Sequence, residues 1–138
     1  HSVALAAAEK TLEILAETPA LAHIAEYGTK LRSGVSQILS QRGIRHSFSG
    51  HPSMSGLFFS EKPPRDYRDW ASSDYTFYEA LAPELHDLGV LCEPDSREPW
   101  FICEAHDDRC LAETLERFET AVDRVINKNV GPGAASIV

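Results

Sequence analysis

Between Leu21 and Ser49 the hydrophobic period of the chain changes from that of a helix to that of a strand. Leu21, Ile24, Gly28, Leu31, Val35 and Ile38 recur at spacings of three and four, which lines one face of a helix with apolar groups. After Gly43 the pattern alternates: Ile44, His46 and Phe48 are separated by Arg45, Ser47 and Ser49, as in a half-buried strand. "QRGI" supplies the stop between them, with Gly43 suited to the left-handed position that ends a helix. A chain that carries both periods within one short stretch must mix helix and sheet.

The flanking segments extend this reading. "HSVALAAAEKTLEILAE" is rich in strong helix formers, with Ala4, Ala8, Leu12 and Leu15 on one face, and "ETP" breaks it with Pro19 near the start of the next helix. "GHPS" interrupts the first strand, and "MSGLFFS" reads as a second with a buried middle. "EKPPRDYRDW" is a surface loop, since adjacent prolines and many charges exclude a sheet interior. "SSDYTFYEALAPELHDLG" returns to helix, with Ser72 or Ser73 as cap and Asp74 at the positive end of the dipole. Pro83 within it requires a kink or a restart. Gly89 ends that helix; "VLCE" and "WFICEA" are short strands. "HDDRCLAETLERFETAVDRVIN" is a final helix with a stripe of Leu111, Leu115, Phe118, Val122 and Val125, capped by Asp107. The expected fold is α+β: a small, mainly antiparallel sheet of three or four strands with helices packed on one face, preceded by two helices. Residues 127–138 lack periodicity and are expected to form a flexible tail.

At 138 residues the chain fits one domain, and such a domain buries roughly two-thirds of its unfolded surface. The net charge of −8 argues against nucleic acid, which requires a concentrated basic surface. No apolar run approaches the ~20 residues of a membrane span, and no signal peptide is visible. Cys92, Cys103 and Cys110 are odd in number, which points to reduced thiols in a cytoplasmic protein; the alternative is a bridge between Cys92 and Cys103 on neighbouring strands. The opening in mid-helix, without an initiator Met, reads as a piece of something longer.

Taken alone, the residues do not supply a complete active site. His46 and His51 have no third ligand by spacing, and His106 with Asp107 and Asp108 fits a strand-to-helix turn with capping carboxylates. No Ser sits in a G-x-S-x-G elbow, and Cys103 and Cys110 have no obvious basic neighbour in sequence. "GIRHSFSGHPSMSG" lacks phosphate-loop spacing and fits a hairpin connection. "PPRDYRDW" is either a solvated loop pinned by Tyr67 and Trp70 or a subunit or domain contact. In "EPDSREPWFICEAH", Pro94 and Pro99 stiffen the approach to Glu98, and Trp100 to Cys103 suit a sheet interior. Glu98 is either a solvated acid at a strand entrance or a carboxylate that meets a ligand at the sheet edge.

Several segments in order resemble the C-terminal small domain of class III, fold-type I pyridoxal-phosphate aminotransferases, the glutamate-1-semialdehyde 2,1-aminomutase branch in particular. They are "HSVALAAAEKTLEIL", "LRSGVSQILSQRGI", "GHPSMSGLFFSEKPPRDYRDWASSDYTFYEAL", "LGVLCEPDSREPWFICEAH" and "LAETLERFETAV", which together span nearly all of residues 1–126. G-x-x-S-M-x-G-x-F-F, the Pro-Arg-Asp-Tyr loop and the Glu-x-x-Phe-x-x-x-Ala-His run carry most of the match. The resemblance implies a domain over 1–126, led by a helix at 1–17, that closes one side of a site in a larger enzyme. A large domain of the same polypeptide would hold pyridoxal 5'-phosphate there, and the enzyme would be a homodimer acting on an amino acid or amino-aldehyde. It implies Glu98 as a residue at the substrate entrance; Pro99 and Trp100 replace smaller residues of the aminomutase pattern. None of Lys10, Lys30, Lys62 and Lys128 lies in the family's Lys-x-(hydrophobic)-Gly-Gly-Gly setting. The resemblance therefore implies no catalytic residue and no bound cofactor in this piece, which is expected to be inactive alone. The remaining alternative is an independent, non-catalytic α+β module for interaction or dimerisation.

Overall fold

The computed structural model describes residues 1–128. Its elements run α1 (Ser2–Glu17), α2 (Ala20–Gln41), β1 (Ser47–Ser49), β2 (Met54–Phe58), α3 (Tyr67–Ala71), α4 (Tyr75–Asp87), β3 (Trp100–Phe101) and α5 (Asp108–Asn127). The strands form one antiparallel sheet in the order β1-β2-β3. Phe48 lies opposite Leu57 in the first pair, and Ser55 opposite Trp100 in the second. This is the α+β arrangement that the change of period demands, with two long helices ahead of the sheet. The expected tail lies outside the described residues from 129 on; Asn127 ends α5 and Lys128 caps it.

The core forms where α2, α4 and α5 meet the inner face of β2. Val35 and Leu39 of α2, Phe77 and Leu81 of α4, and Phe118 and Val122 of α5 are fully buried. Leu57 and Phe59 cover them from the sheet, with the Phe59 and Phe77 rings edge to face at 4.5 Å. The α2 stripe is buried from Tyr27 onward, while Leu21 ahead of it is exposed. Gly28 occupies the place where the hairpin turn lies on the helix, since a Cβ there would fall 2.1 Å from the Pro52 carbonyl oxygen. No side chain fits that gap.

The ends of α2 and α4 follow one scheme. Gly43 takes a φ of 67°, its N–H donates to the Ser40 carbonyl at 3.0 Å, and Ile44 N–H donates to the Leu39 carbonyl at 2.9 Å. That is the Schellman cap. It explains why β1 starts at Ser47 rather than Ile44: the Ile44 amide belongs to the helix end, and its side chain is buried there. Gly89 and Val90 close α4 in the same way, through the His86 and Leu85 carbonyls.

Several expectations need correction. "VLCE" is not a strand. The Val90 amide caps α4, and the Cys92 and Glu93 carbonyls accept from His86 Nε2 and the Tyr78 hydroxyl at 2.6 and 2.9 Å. With those groups committed, no ladder forms. The bridge between Cys92 and Cys103 does not arise either, and all three cysteines are free. "WFICEA" shrinks to Trp100–Phe101, with Phe101 65% exposed and Cys103 exposed. Its buried interior is overturned, because the chain turns at Cys103, whose carbonyl accepts from His106 N–H at 3.2 Å. The "PPRDYRDW" loop contains α3, capped by Asp66, which accepts from the Arg68 and Asp69 amides.

The cap of α4 is Asp74, accepting from Phe77 N–H, while the Ser73 hydroxyl donates to the Trp70 carbonyl. Pro83 does not restart α4; the helix runs through it. Proline removes the bond to the Glu79 carbonyl, and both residues lie on the exposed side. The expected apolar face of α1 is not buried: Ala4, Ala8 and Leu12 are exposed and only Leu15 is half-buried.

Candidate functional site

Glu98 stands at the end of a short turn between α4 and β3. The Asp95 carboxylate builds the turn by accepting from the Arg97 amide and Nε, both at 2.9 Å. Glu98 N–H donates to the Asp95 carbonyl at 3.1 Å. Arg97 keeps the Asp95 carboxyl below the usual carboxylate range. The turn is then fastened from outside. Trp70 Nε1 donates to the buried Ser96 hydroxyl at 2.8 Å, and the Arg97 guanidinium lies 5.0 Å over the Trp70 ring. Trp70 in turn stacks on Tyr75 at 4.9 Å and leans on Tyr67 at 5.3 Å.

The "PPRDYRDW" loop is pinned, with Trp70 as the pin. What it holds is the turn that carries Glu98. The Glu98 side chain itself is exposed and makes no hydrogen bond or ion pair within the described residues.

Beyond Glu98 the chain becomes anchored. Trp100 Nε1 donates to the Tyr78 hydroxyl at 2.7 Å, and that hydroxyl donates on to the Glu93 carbonyl at 2.9 Å. Burial raises the Tyr78 phenol far above its ordinary value, so it stays protonated and the relay keeps its direction. The Trp100 ring meets Phe118 edge on at 6.1 Å. Between this wall, α2 and the Cys92–Pro94 segment lies an open groove of about 390 Å³, bordered also by Pro99, Phe101 and His106.

Two features escaped the sequence reading. Arg32 of α2 reaches the hairpin turn, donating to the Ser49 and Gly50 carbonyls at 2.8 and 2.7 Å and to the Ser55 hydroxyl. It makes no ion pair within the described residues, and burial lowers its pKa. The second is a thiol–imidazole contact, Cys103 Sγ to His106 Nδ1 at 3.2 Å. A C-x-x-H spacing across a turn was the available signal.

His46 and His51 are used locally. His46 Nδ1 donates to the Ile44 carbonyl at 2.9 Å and its Nε2 accepts from Ser36 at 2.8 Å, while His51 Nδ1 contacts the Ser53 hydroxyl at 2.9 Å. Among the described residues no group of three or more His, Cys, Asp or Glu is placed to hold a metal ion, and no helix is long and apolar enough to cross a membrane. The lysines are surface groups: Lys10 pairs with Glu13, Lys30 with Glu26, and Lys128 with Glu84. Lys62 lies beside the proline pair of the loop. None is desolvated in the manner of a Schiff-base lysine. The residues present therefore do not fit an aldehyde cofactor by themselves.

No protein-family profile matches the chain. Individual relatives do. The glutamate-1-semialdehyde 2,1-aminomutase of Aquifex aeolicus is 32% identical over 122 residues, 88% of this chain and 29% of the relative. That of Methanothrix thermoacetophila is 34% identical over 117 residues, 85% of this chain and 27% of the relative. The chain thus spans under a third of the curated relatives it matches. In fold it is similar to the FumI protein of Sphingopyxis sp. MTA144, solved in its pyridoxal-phosphate internal aldimine form. The TM-score is 0.76 at 27% identity, over 92% of this chain and 28% of that one. An omega-transaminase from Sphaerobacter thermophilus shares the fold, with a TM-score of 0.65 at 20% identity over 73% of this chain and 23% of that one. Sequence and fold together place the chain in the class III (fold-type I) pyridoxal-phosphate aminotransferases, as a C-terminal small domain with glutamate-1-semialdehyde 2,1-aminomutases among its relatives.

Proposed function

We propose that residues 1–126, led in by the helix at 1–17, form a small domain that closes the substrate side of an aminotransferase or aminomutase active site. The observation that carries this reading is the placement of Glu98: an exposed residue directly ahead of Pro99, which borders a groove of about 390 Å³, on a turn fastened through Ser96 and Arg97 to Trp70. There it meets the amino or carboxylate end of an entering amino acid or amino-aldehyde, attracting the one and repelling the other. The cofactor supplies an electron sink when bound to the parent enzyme. A large domain outside this sequence holds it, since the lysines here are ion-paired or exposed surface groups. The parent acts as a cytoplasmic homodimer, and this piece alone neither binds pyridoxal phosphate tightly nor transfers amino groups.

In the full-length parent, Glu98→Gln alters turnover or KM and leaves the melting temperature unchanged. Unchanged kinetics with lost stability would sink the assignment. A second reading, an independent interaction module, is favoured by the absence of a desolvated lysine. It requires a gene that encodes no large domain with a Gly-flanked lysine, and sequencing that gene separates the two.

A further inference from the structure

We propose that Trp70 is a positioning residue for the parent's reaction: it grips Ser96 and Arg97 at once, and so keeps the neighbouring Glu98 carboxylate in place and unpaired. This role rests on the proposed placement of Glu98 at the substrate entrance and names the group that secures it. Residues 95–98 are closed among themselves. The Asp95 carboxylate accepts from the Arg97 amide and Nε, and Glu98 N–H donates to the Asp95 carbonyl. Pro94 and Pro99 bracket the turn, each with its own φ locked. A unit so closed moves as one piece, and its place depends on what it is fastened to.

On the β3 side the fastening begins at Trp100, whose Nε1 donates to the Tyr78 hydroxyl at 2.7 Å. On the other side it is Trp70. Its Nε1 donates to the Ser96 hydroxyl at 2.8 Å, and its ring lies 5.0 Å from the Arg97 guanidinium. Ser96 is 4% exposed, so water is poorly placed to replace that donor. Trp70 can hold the turn because it is itself held. It stacks on Tyr75 and leans on Tyr67, and its carbonyl accepts from the Ser73 amide at 2.9 Å and the Ser73 hydroxyl at 2.7 Å. The next amide, of Asp74, donates to the carbonyl of the buried Phe59 at 3.2 Å. A line of contacts thus runs from the core through α3 to the turn.

The same clasp governs charge. Arg97 is adjacent to Glu98 in sequence, yet it pairs with Asp95 and lies over the Trp70 ring. Glu98 makes no ion pair within the described residues. Without the indole, Arg97 is free to swing onto Glu98 and neutralise it, and the turn pivots between its prolines. Both changes act on one carboxylate, and a misplacement of about 1 Å at a group that meets substrate costs up to about a hundredfold in rate.

The test is a double-mutant cycle in the full-length parent, Trp70→Leu against Glu98→Gln. Trp70→Leu is expected to lower kcat/KM about tenfold, moving whichever of kcat and KM the Glu98→Gln change moves. In the Glu98→Gln background it is expected to change neither further. Equal losses in both backgrounds overturn the proposal, because Trp70 then acts other than through Glu98. So does an unimpaired Trp70→Leu beside an impaired Glu98→Gln. A silent Glu98→Gln overturns the entrance role itself, and the positioning role with it. In the isolated chain, trypsin is expected to cut after Arg97 about tenfold faster in Trp70→Leu than in the unaltered chain, since a clasped guanidinium is withheld from the protease. Equal rates of cutting overturn the clasp whatever the kinetics. Where Trp70→Leu does not fold by circular dichroism, Ser96→Ala, which removes only the hydroxyl, takes its place in both measurements. Effects of about threefold are then expected, and their absence overturns the proposal.

Discussion

Phe77, Leu81, Leu85, Phe118 and Val122, on the α4 and α5 side, have no exposed surface, whereas Leu91 and Phe101, in the stretch from Val90 to His106, are 93% and 65% exposed. Both sets are large apolar residues. They differ in what the neighbouring backbone does. The helices hold their polar groups internally and turn whole apolar faces together. The Val90–His106 stretch spends its carbonyls on His86 and Tyr78, pairs two residues with β2, and leaves alternate side chains outside. The helix α1 resembles this second region, with Val3, Leu5 and Leu12 67–70% exposed. The core is closed without those residues. Their exposure fits a piece whose other walls are supplied by the remainder of a longer protein.

Phe118→Ala in the core should cost about 3–5 kcal/mol, read by chemical denaturation. Phe101→Ala should stay within about 0.5 kcal/mol, as for an ordinary surface change. Equal losses at the two sites would break the distinction between the regions. The relay from Trp100 to Tyr78 to Glu93 is the seam between them. Tyr78→Phe strands a donor and an acceptor there and should cost about 1–3 kcal/mol; no loss would mean that the stretch is not tied to the core.

A smaller effect is expected at Arg42, which joins the end of α2 to α5 through Asp123 at 2.6 Å and Glu119 at 2.9 Å. Arg42 holds the Asp123 carboxyl below its ordinary range. The stabilisation is therefore present above the unfolded value of about 4 and is lost as pH falls through the depressed folded value. Discounted for solvent screening, Asp123→Asn should cost about 1 kcal/mol or less at neutral pH and flatten the acid side of the stability profile. Smallest of all, Glu98→Gln in the isolated chain should leave the denaturation midpoint unchanged.

The features legible in the sequence were those fixed by period or by a single backbone requirement. The α2 stripe from Gly28 onward, the left-handed stop at Gly43 and the Asp107 cap appear as expected. What could not be read depends on which distant group takes a backbone polar atom. "VLCE" has strand composition, but side chains of α4 claim its carbonyls. The α1 stripe was visible, yet nothing in its own pattern says whether a partner face exists within the chain. Glu98 was singled out by its proline-flanked setting and by the resemblance, whereas the clasp that holds its turn, Trp70 on Ser96, joins residues far apart in sequence. No local pattern links them. Cys103 and His106 were passed over because each was weighed against its immediate neighbours rather than across the turn.

The central claim is that this domain borders a cofactor site without containing the groups that hold the cofactor. Adding pyridoxal phosphate to the isolated chain, reducing with borohydride and locating the label by peptide mapping tests it directly. The account predicts sparse labelling spread over Lys10, Lys30, Lys62 and Lys128, with no cofactor absorbance surviving gel filtration. A stoichiometric label on one lysine, with a bound-cofactor band that survives, would contradict it.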